Sequence, residues 1–159
     1  MELYLLRHGI AEDRAPSGRD ADRRLTDEGR ARLRRVLERA HHAAVSPSLI
    51  LSSPYRRALE TAEIAARELG YAGKIVRIPA LTPDGSPQQL WESICEHREE
   101  SAVLLAGHEP LFSAAVAYLL GTTRSIVHFR KGALMRIDFE VFGSTPAGVL
   151  EWMLTAKLA

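Results

Sequence analysis

Two histidines and three arginines stand where apolar runs give out. Leu3-Tyr4-Leu5-Leu6 leads into Arg7-His8-Gly9, Leu49-Ile50-Leu51 leads through Ser52-Ser53-Pro54 to Arg56 and Arg57, and Ala102-Val103-Leu104-Leu105-Ala106 leads into Gly107-His108. A guanidinium is planar, permanently charged and able to grip two oxygens at once, which suits Arg7 and Arg57 to a phosphoryl group. An imidazole near neutrality offers a nucleophilic nitrogen, so His8 is expected to attack phosphorus and carry the phosphoryl group transiently. His108 is expected to act protonated, donating to an equatorial oxygen as charge redistributes. Gly9 and Gly107 are expected where the backbone must come close to the ligand, Gly9 as part of the phosphate-binding set. Water then releases phosphate from His8 in a scheme that calls for no metal and no other cofactor. An Arg-His pair alone after a strand is more often a solvated loop; Arg57 and His108 together reverse that weighting.

These residues need a scaffold that brings three strand ends together. Short apolar runs alternating with segments of helical period read as an α/β protein. Strands are expected at Leu3–Leu6, Leu49–Leu51, Lys74–Ile78 and Ala102–Ala106. Thr26 caps a helix with Asp27 and Glu28 in its first turn and Leu33, Val36, Leu37 and Ala40 on one face. Ser53 and Pro54 are read as N-cap and N1 of a second helix that ends at Gly70. Ser86-Pro87-Gln88-Gln89 opens a third, and Pro110 stands near the start of a fourth carrying Phe112, Val116, Leu119 and Leu120. Leu134–Phe139 and Val149–Met153, joined by the turn-rich stretch 143–148, read as a hairpin. The architecture expected is a three-layer α/β/α sandwich, its central sheet mostly parallel with a C-terminal antiparallel hairpin. Open parallel sheets bind ligands at the carboxyl ends of their strands, where the histidines and arginines fall.

The 159 residues, 46% hydrophobic, suit one domain spanning 1–159. A net charge of +1 gives no reason to expect nucleic acid or a membrane as partner. The single cysteine, Cys95, excludes an internal disulfide and a CxxC site, which suits a cytoplasmic location, and no apolar run reaches the length of a membrane span. Other conspicuous residues have plain readings. Arg56 is divided between a solvated helix position and the site, and Arg23 is read as structural. Asp84, in Asp84-Gly85, is a turn residue first and a candidate proton donor second. His41 and His42 close a helix, His97 and His128 are read as surface residues, and Cys95, Trp91 and Trp152 as packing.

Leu5-Leu6-Arg7-His8-Gly9, the segment Ser52-Ser53-Pro54-Tyr55-Arg56-Arg57-Ala58-Leu59-Glu60-Thr61-Ala62, and Leu104-Leu105-Ala106-Gly107-His108 resemble, in order, the three motifs of the histidine phosphatase superfamily, the phosphoglycerate mutase-like fold. Arg23-Arg24-Leu25-Thr26-Asp27-Glu28-Gly29 is similar to the family's first helix start, and Leu81-Thr82-Pro83 to its compact SixA-type phosphohistidine phosphatases, which lack a cap insertion. The resemblance selects Arg57 over Arg56 and implies catalysis by His8 with Arg7, Arg57 and His108, the last three also binding phosphate. It implies a metal-independent phosphatase whose partner is a phosphohistidine-bearing protein. Two departures are Ile10 in place of a polar residue and the lack of a clear match to the mutases' glutamate donor, which leaves Asp84 as candidate. Imidazole leaves more readily than an alkoxide, so a missing acid agrees with an N–P substrate. A phosphatase for small phosphorylated esters, and a module that recognises phosphate without turnover, are the alternatives.

Overall fold

In the computed structural model, which describes residues 1–123 and 127–159, one six-stranded sheet runs in the order β3-β2-β4-β1-β5-β6. The strands are β1 (Glu2–Arg7), β2 (Leu49–Ser52), β3 (Val76–Arg77), β4 (Ala102–Gly107), β5 (Leu134–Asp138) and β6 (Val149–Leu154). The first four are parallel; β5 pairs antiparallel to β1, and β6 antiparallel to β5. β4 lies between β1 and β2 and is buried along its whole length, which is why its sequence is an unbroken apolar run rather than an alternation.

Period-two alternation in β1 divides the core. Leu3 and Leu5 pack with α3 (Pro87–Cys95) and α4 (Leu111–Leu119), whereas Tyr4 and Leu6 pack with α1 (Asp27–His42) and α2 (Arg56–Glu68). The result is the expected three-layer α/β/α arrangement. Each fully buried leucine on these faces stabilises the fold by about 1.5–3 kcal/mol over its exposed state. Thr26 Oγ1 accepts from Gly29 N at 3.0 Å and Ser86 Oγ from Gln89 N at 3.2 Å, so both expected caps form. No helix among the described residues is long and apolar enough to cross a membrane.

Two local expectations are corrected. The third strand pairs with β2 only at Val76 and Arg77, because it is an exposed sheet edge with partners on one side alone. The helix after β2 starts at Arg56, with Tyr55 rather than Ser53 at its N-cap position. The Ser53 hydroxyl instead closes a small turn, accepting from Tyr55 N at 3.2 Å, and reaches His108.

Candidate active site

Strand register brings the two histidines together. Arg7 pairs with Gly107 across β1 and β4, and His8 N donates to Gly107 O at 3.0 Å, so the next residues, His8 and His108, leave adjacent strands side by side. Their rings lie 5.0 Å apart. On the other flank of β4, Ser53 N donates to Ala106 O at 2.9 Å, placing the Ser53 hydroxyl 2.9 Å from His108 Nε2. Arg57, in the first turn of α2, extends back over the strand ends and donates from Nε to His8 Nε2 at 3.3 Å. One turn later Thr61 locks this helix to the loop after β1: its Oγ1 accepts from Gly9 N at 3.2 Å and donates to Arg57 O at 2.7 Å. His8, Arg57 and His108 are only 6%, 5% and 1% exposed.

The hydrogen bonds fix the state of His8. Nδ1 lies 2.7 Å from Gly9 O, a carbonyl that can only accept, so Nδ1 carries the proton and Nε2 keeps its lone pair toward Arg57. Burial pushes the His8 pKa down to about 3; the Gly9 carbonyl opposes this, and the charges of Arg57, Arg7 and Lys131 reinforce it. Burial, then the neighbouring His8 and the charge of Arg57, push His108 down to about 2. With no anion beside it the ring therefore favours its neutral form, so the protonated role expected of His108 calls for the negative charge of a phosphoryl group. With Nε2 on Ser53, the His108 Nδ1 is buried and has no partner among the described residues, and where the Ser53 hydroxyl donates to Nε2 that Nδ1 carries a proton to offer.

Arg7 donates from Nη1 to Phe129 O, while its Nε, also buried, lacks a partner among the described residues. Burial lowers the Arg7 pKa from its ordinary value, and the charge of Glu109 opposes the shift. Two buried nitrogens, Arg7 Nε and His108 Nδ1, are thus left without partners among the described residues on side chains that neighbour His8, an arrangement suited to an anion with several oxygens.

Gly9 has a different job from the one expected. Its N–H goes to Thr61 and its carbonyl orients His8, while a Cβ on it would stand 3.2 Å from Gly29 O of α1. Gly107 likewise makes room for packing, since a Cβ there would lie 2.7 Å from the Phe112 ring. Arg56 pairs with Glu60 at 3.2 Å on the exposed side of α2, and Arg23 pairs with Asp20 at 2.7 Å. Asp84 is exposed in the turn closed by Gly85 N and Thr82 O and makes no hydrogen bond to His8, Arg7, Arg57 or His108.

Three neighbours escaped the sequence reading. Asp20 accepts from Arg57 twice, through its carbonyl at 2.8 Å from Nη1 and its carboxylate at 3.0 Å from Nη2. The hydrogen bond from Arg23, opposed by burial and reinforced by the hydrogen bond from Arg57, holds its carboxyl below the ordinary range. Tyr55 stands edge-on to the His108 ring at 5.2 Å and beneath the Arg57 guanidinium. Glu109 follows His108 directly, and its buried Oε1 has no partner among the described residues. The adjacency of a carboxylate to the second histidine was the available signal for Glu109; nothing local marks Asp20 or Tyr55.

A six-stranded α/β sheet with paired imidazoles and guanidiniums at its strand ends defines a phosphoryl-handling site, and comparison with known proteins gives its family. Residues 3–82 match the histidine phosphatase superfamily, branch 1. An uncharacterised protein of Picosynechococcus sp. strain PCC 7002 is 37% identical over 139 residues, which cover 85% of this chain and 83% of the relative. The chain belongs to the histidine phosphatase superfamily. Among solved structures, the protein histidine phosphatase SixA complexed with tungstate superposes with a TM-score of 0.86 at 24% identity, covering 99% of this chain and 98% of that one. A protein from Agrobacterium tumefaciens assigned as a phosphohistidine phosphatase SixA gives 0.80 at 26% identity, covering 97% of each chain. The fold is therefore of the SixA type.

Proposed function

We propose that this histidine phosphatase superfamily hydrolase removes the phosphoryl group from phosphohistidine in a protein substrate, through a phosphohistidine intermediate at His8 and without a metal. The observation that carries the reading is the Nε2 of His8, whose lone pair the Nδ1 contact with Gly9 O leaves turned toward the Arg57 guanidinium. In the first step the Nε2–P bond forms as the bond from phosphorus to the substrate imidazole breaks, and the departing imidazole takes up a proton. Arg7, Arg57 and His108 donate to the phosphoryl oxygens as charge shifts from the leaving group. In the second step water attacks phosphorus, the P–Nε2 bond breaks, one proton of the water restores the acid that protonated the departing imidazole, and inorganic phosphate departs with the other. Residues 1–159 act in this reading as one domain without a cap insertion, and Cys95 as the sole thiol suits a reducing compartment such as the cytoplasm.

Two carboxylates compete as proton source. Asp84 is exposed in its turn, while Glu109 is partly buried beside Arg7, which favours Glu109. Glu109→Gln is expected to slow hydrolysis of esters with basic leaving groups more than that of phosphohistidine, and Asp84→Asn to change neither. The deciding experiment is rapid acid-free quench with phosphorus-labelled substrate and mapping of the labelled peptide. Label at His8 in the parent and none in His8→Ala, with turnover lost and the fold retained, is the expected result. Turnover of His8→Ala near the parent rate overturns the mechanism, and a preference for sugar phosphates over phosphohistidine protein replaces the substrate.

A further inference from the structure

Beside the nucleophile, the chain leaves a concentration of positive charge that phosphoryl chemistry does not use. The segment 129–132 folds onto the end of β1: Gly132 N donates to both Arg7 O and His8 O at 3.1 Å, and Phe129 O holds the Arg7 guanidinium. An open groove of about 440 Å³ begins there, at Arg7, and runs to the segment after β6. Its basic lining comes from Arg7, Arg32, His128, Arg130, Lys131 and Lys157, and among the described residues no carboxylate lines it. Arg32 is neutralised by Glu28 one helical turn away, but Arg130, Lys131 and Lys157, all exposed, are in ion-pair contact with no carboxylate among the described residues. With a whole-chain charge of only +1, this is a local excess and not a reflection of composition.

A phosphoryl group occupies a few ångströms at His8 and leaves the rest of the groove without a counter-charge. The groove is open along its length and also presents Ile10 and Ala156, so it fits an extended chain with acidic and apolar side chains better than a compact metabolite. We propose that this groove docks an acidic segment of the protein substrate, lying next to the phosphorylated residue that enters the site. The inference deepens the reading of a protein substrate and rests on it for the identity of the phosphorylated group. Arg130 and Lys157 read the flanking carboxylates, and Lys131 joins the groove to the nucleophile.

The test has a binding arm that needs no turnover. A fluorescent peptide rich in Asp and Glu, carrying no phosphate, is titrated by anisotropy against the full chain beside its Asn/Gln counterpart and a single-stranded DNA oligonucleotide. The acidic peptide is expected to bind at least about tenfold more tightly than the amide version, to weaken with salt, and to lose that advantage in Arg130→Glu/Lys157→Glu. Both substituted positions are exposed, and a thermal melt of the double variant verifies that it folds; Arg130→Gln/Lys157→Gln provides a milder pair with the same expected direction. Equal binding of the two peptides, an advantage that survives both double variants, or tighter binding of the oligonucleotide overturns the proposal. In the kinetic arm, phosphohistidine peptides with acidic and neutral flanks are compared by kcat/KM. An acidic preference of about tenfold that falls to near unity in the double variant supports docking. Binding as expected with no turnover of either phosphopeptide retains the groove and rejects the phosphohistidine substrate, which separates the two failures.

Discussion

Ser53 shows how much of the site depends on one small side chain. Its hydroxyl is the only partner of His108 Nε2 among the described residues, in a ring 1% exposed, and it also holds the turn into α2 through Tyr55 N. Ser53→Ala is expected to lower kcat about tenfold through a wandering His108 and to cost roughly 1–3 kcal/mol of stability for the stranded nitrogen. Steady-state kinetics and urea unfolding would read the two effects separately. The serine was visible in the sequence, but as a helix cap. Side-chain chemistry offered both uses, and only the register of β2 against β4 decides between them. The pH profile is a second prediction at this scale. Because His8 titrates at about 3 rather than near 6.5, kcat/KM corrected for ionisation of the substrate should show no fall through pH 6.5, and its acid limb should lie well below. A limb at the ordinary imidazole value would mean that the nucleophile is solvated.

The elements were legible where burial and capping speak with one voice. β4, apolar throughout because strands flank it on both sides, and α1, capped by Thr26 with one apolar face, fall where periodicity puts them. β3 shrinks because an edge strand has little burial to enforce its length, and α2 starts late because its expected cap has other work. What joins the elements was less visible. Gly29 in α1 lies against the loop that follows Gly9, and a Cβ there would come within 2.1 Å of Ile10 O. A backbone atom cannot yield as a flexible side chain does, so Gly29→Ala should push α1 off that loop. The expected cost is about 3 kcal/mol, the upper end of the usual overpacking range, read as a lowered melting temperature. Activity should fall with it, since the displaced loop continues directly from His8 and Gly9.

For the molecule as a whole, two neutral imidazoles buried at the centre make stability depend on pH. In the folded chain His8 and His108 are depressed to about 3 and about 2, whereas the unfolded chain binds protons near the ordinary value of 6.5. Between those limits the unfolded state holds more protons, so stability rises with pH and is lost as pH falls below about 6.5. The slope should approach about 1.4 kcal/mol per pH unit for each histidine, and exchanging His108 for Gln should remove one share of it, measured by urea titrations across the acid range. The three family motifs were legible because each follows a strand, and parallel pairing converts strand ends into neighbours whatever their distance in sequence. Asp20 was not, because a polar loop announces neither its path nor that it will fold over Arg57.

The carbonyl of Gly9 has a stereochemical corollary. By occupying one ring nitrogen of His8 it leaves a single position for phosphorus, so of the two regioisomers that an imidazole can form, only the tele isomer is accessible. Phosphorus NMR of the trapped chain should match the tele standard and show no resonance of the pros isomer.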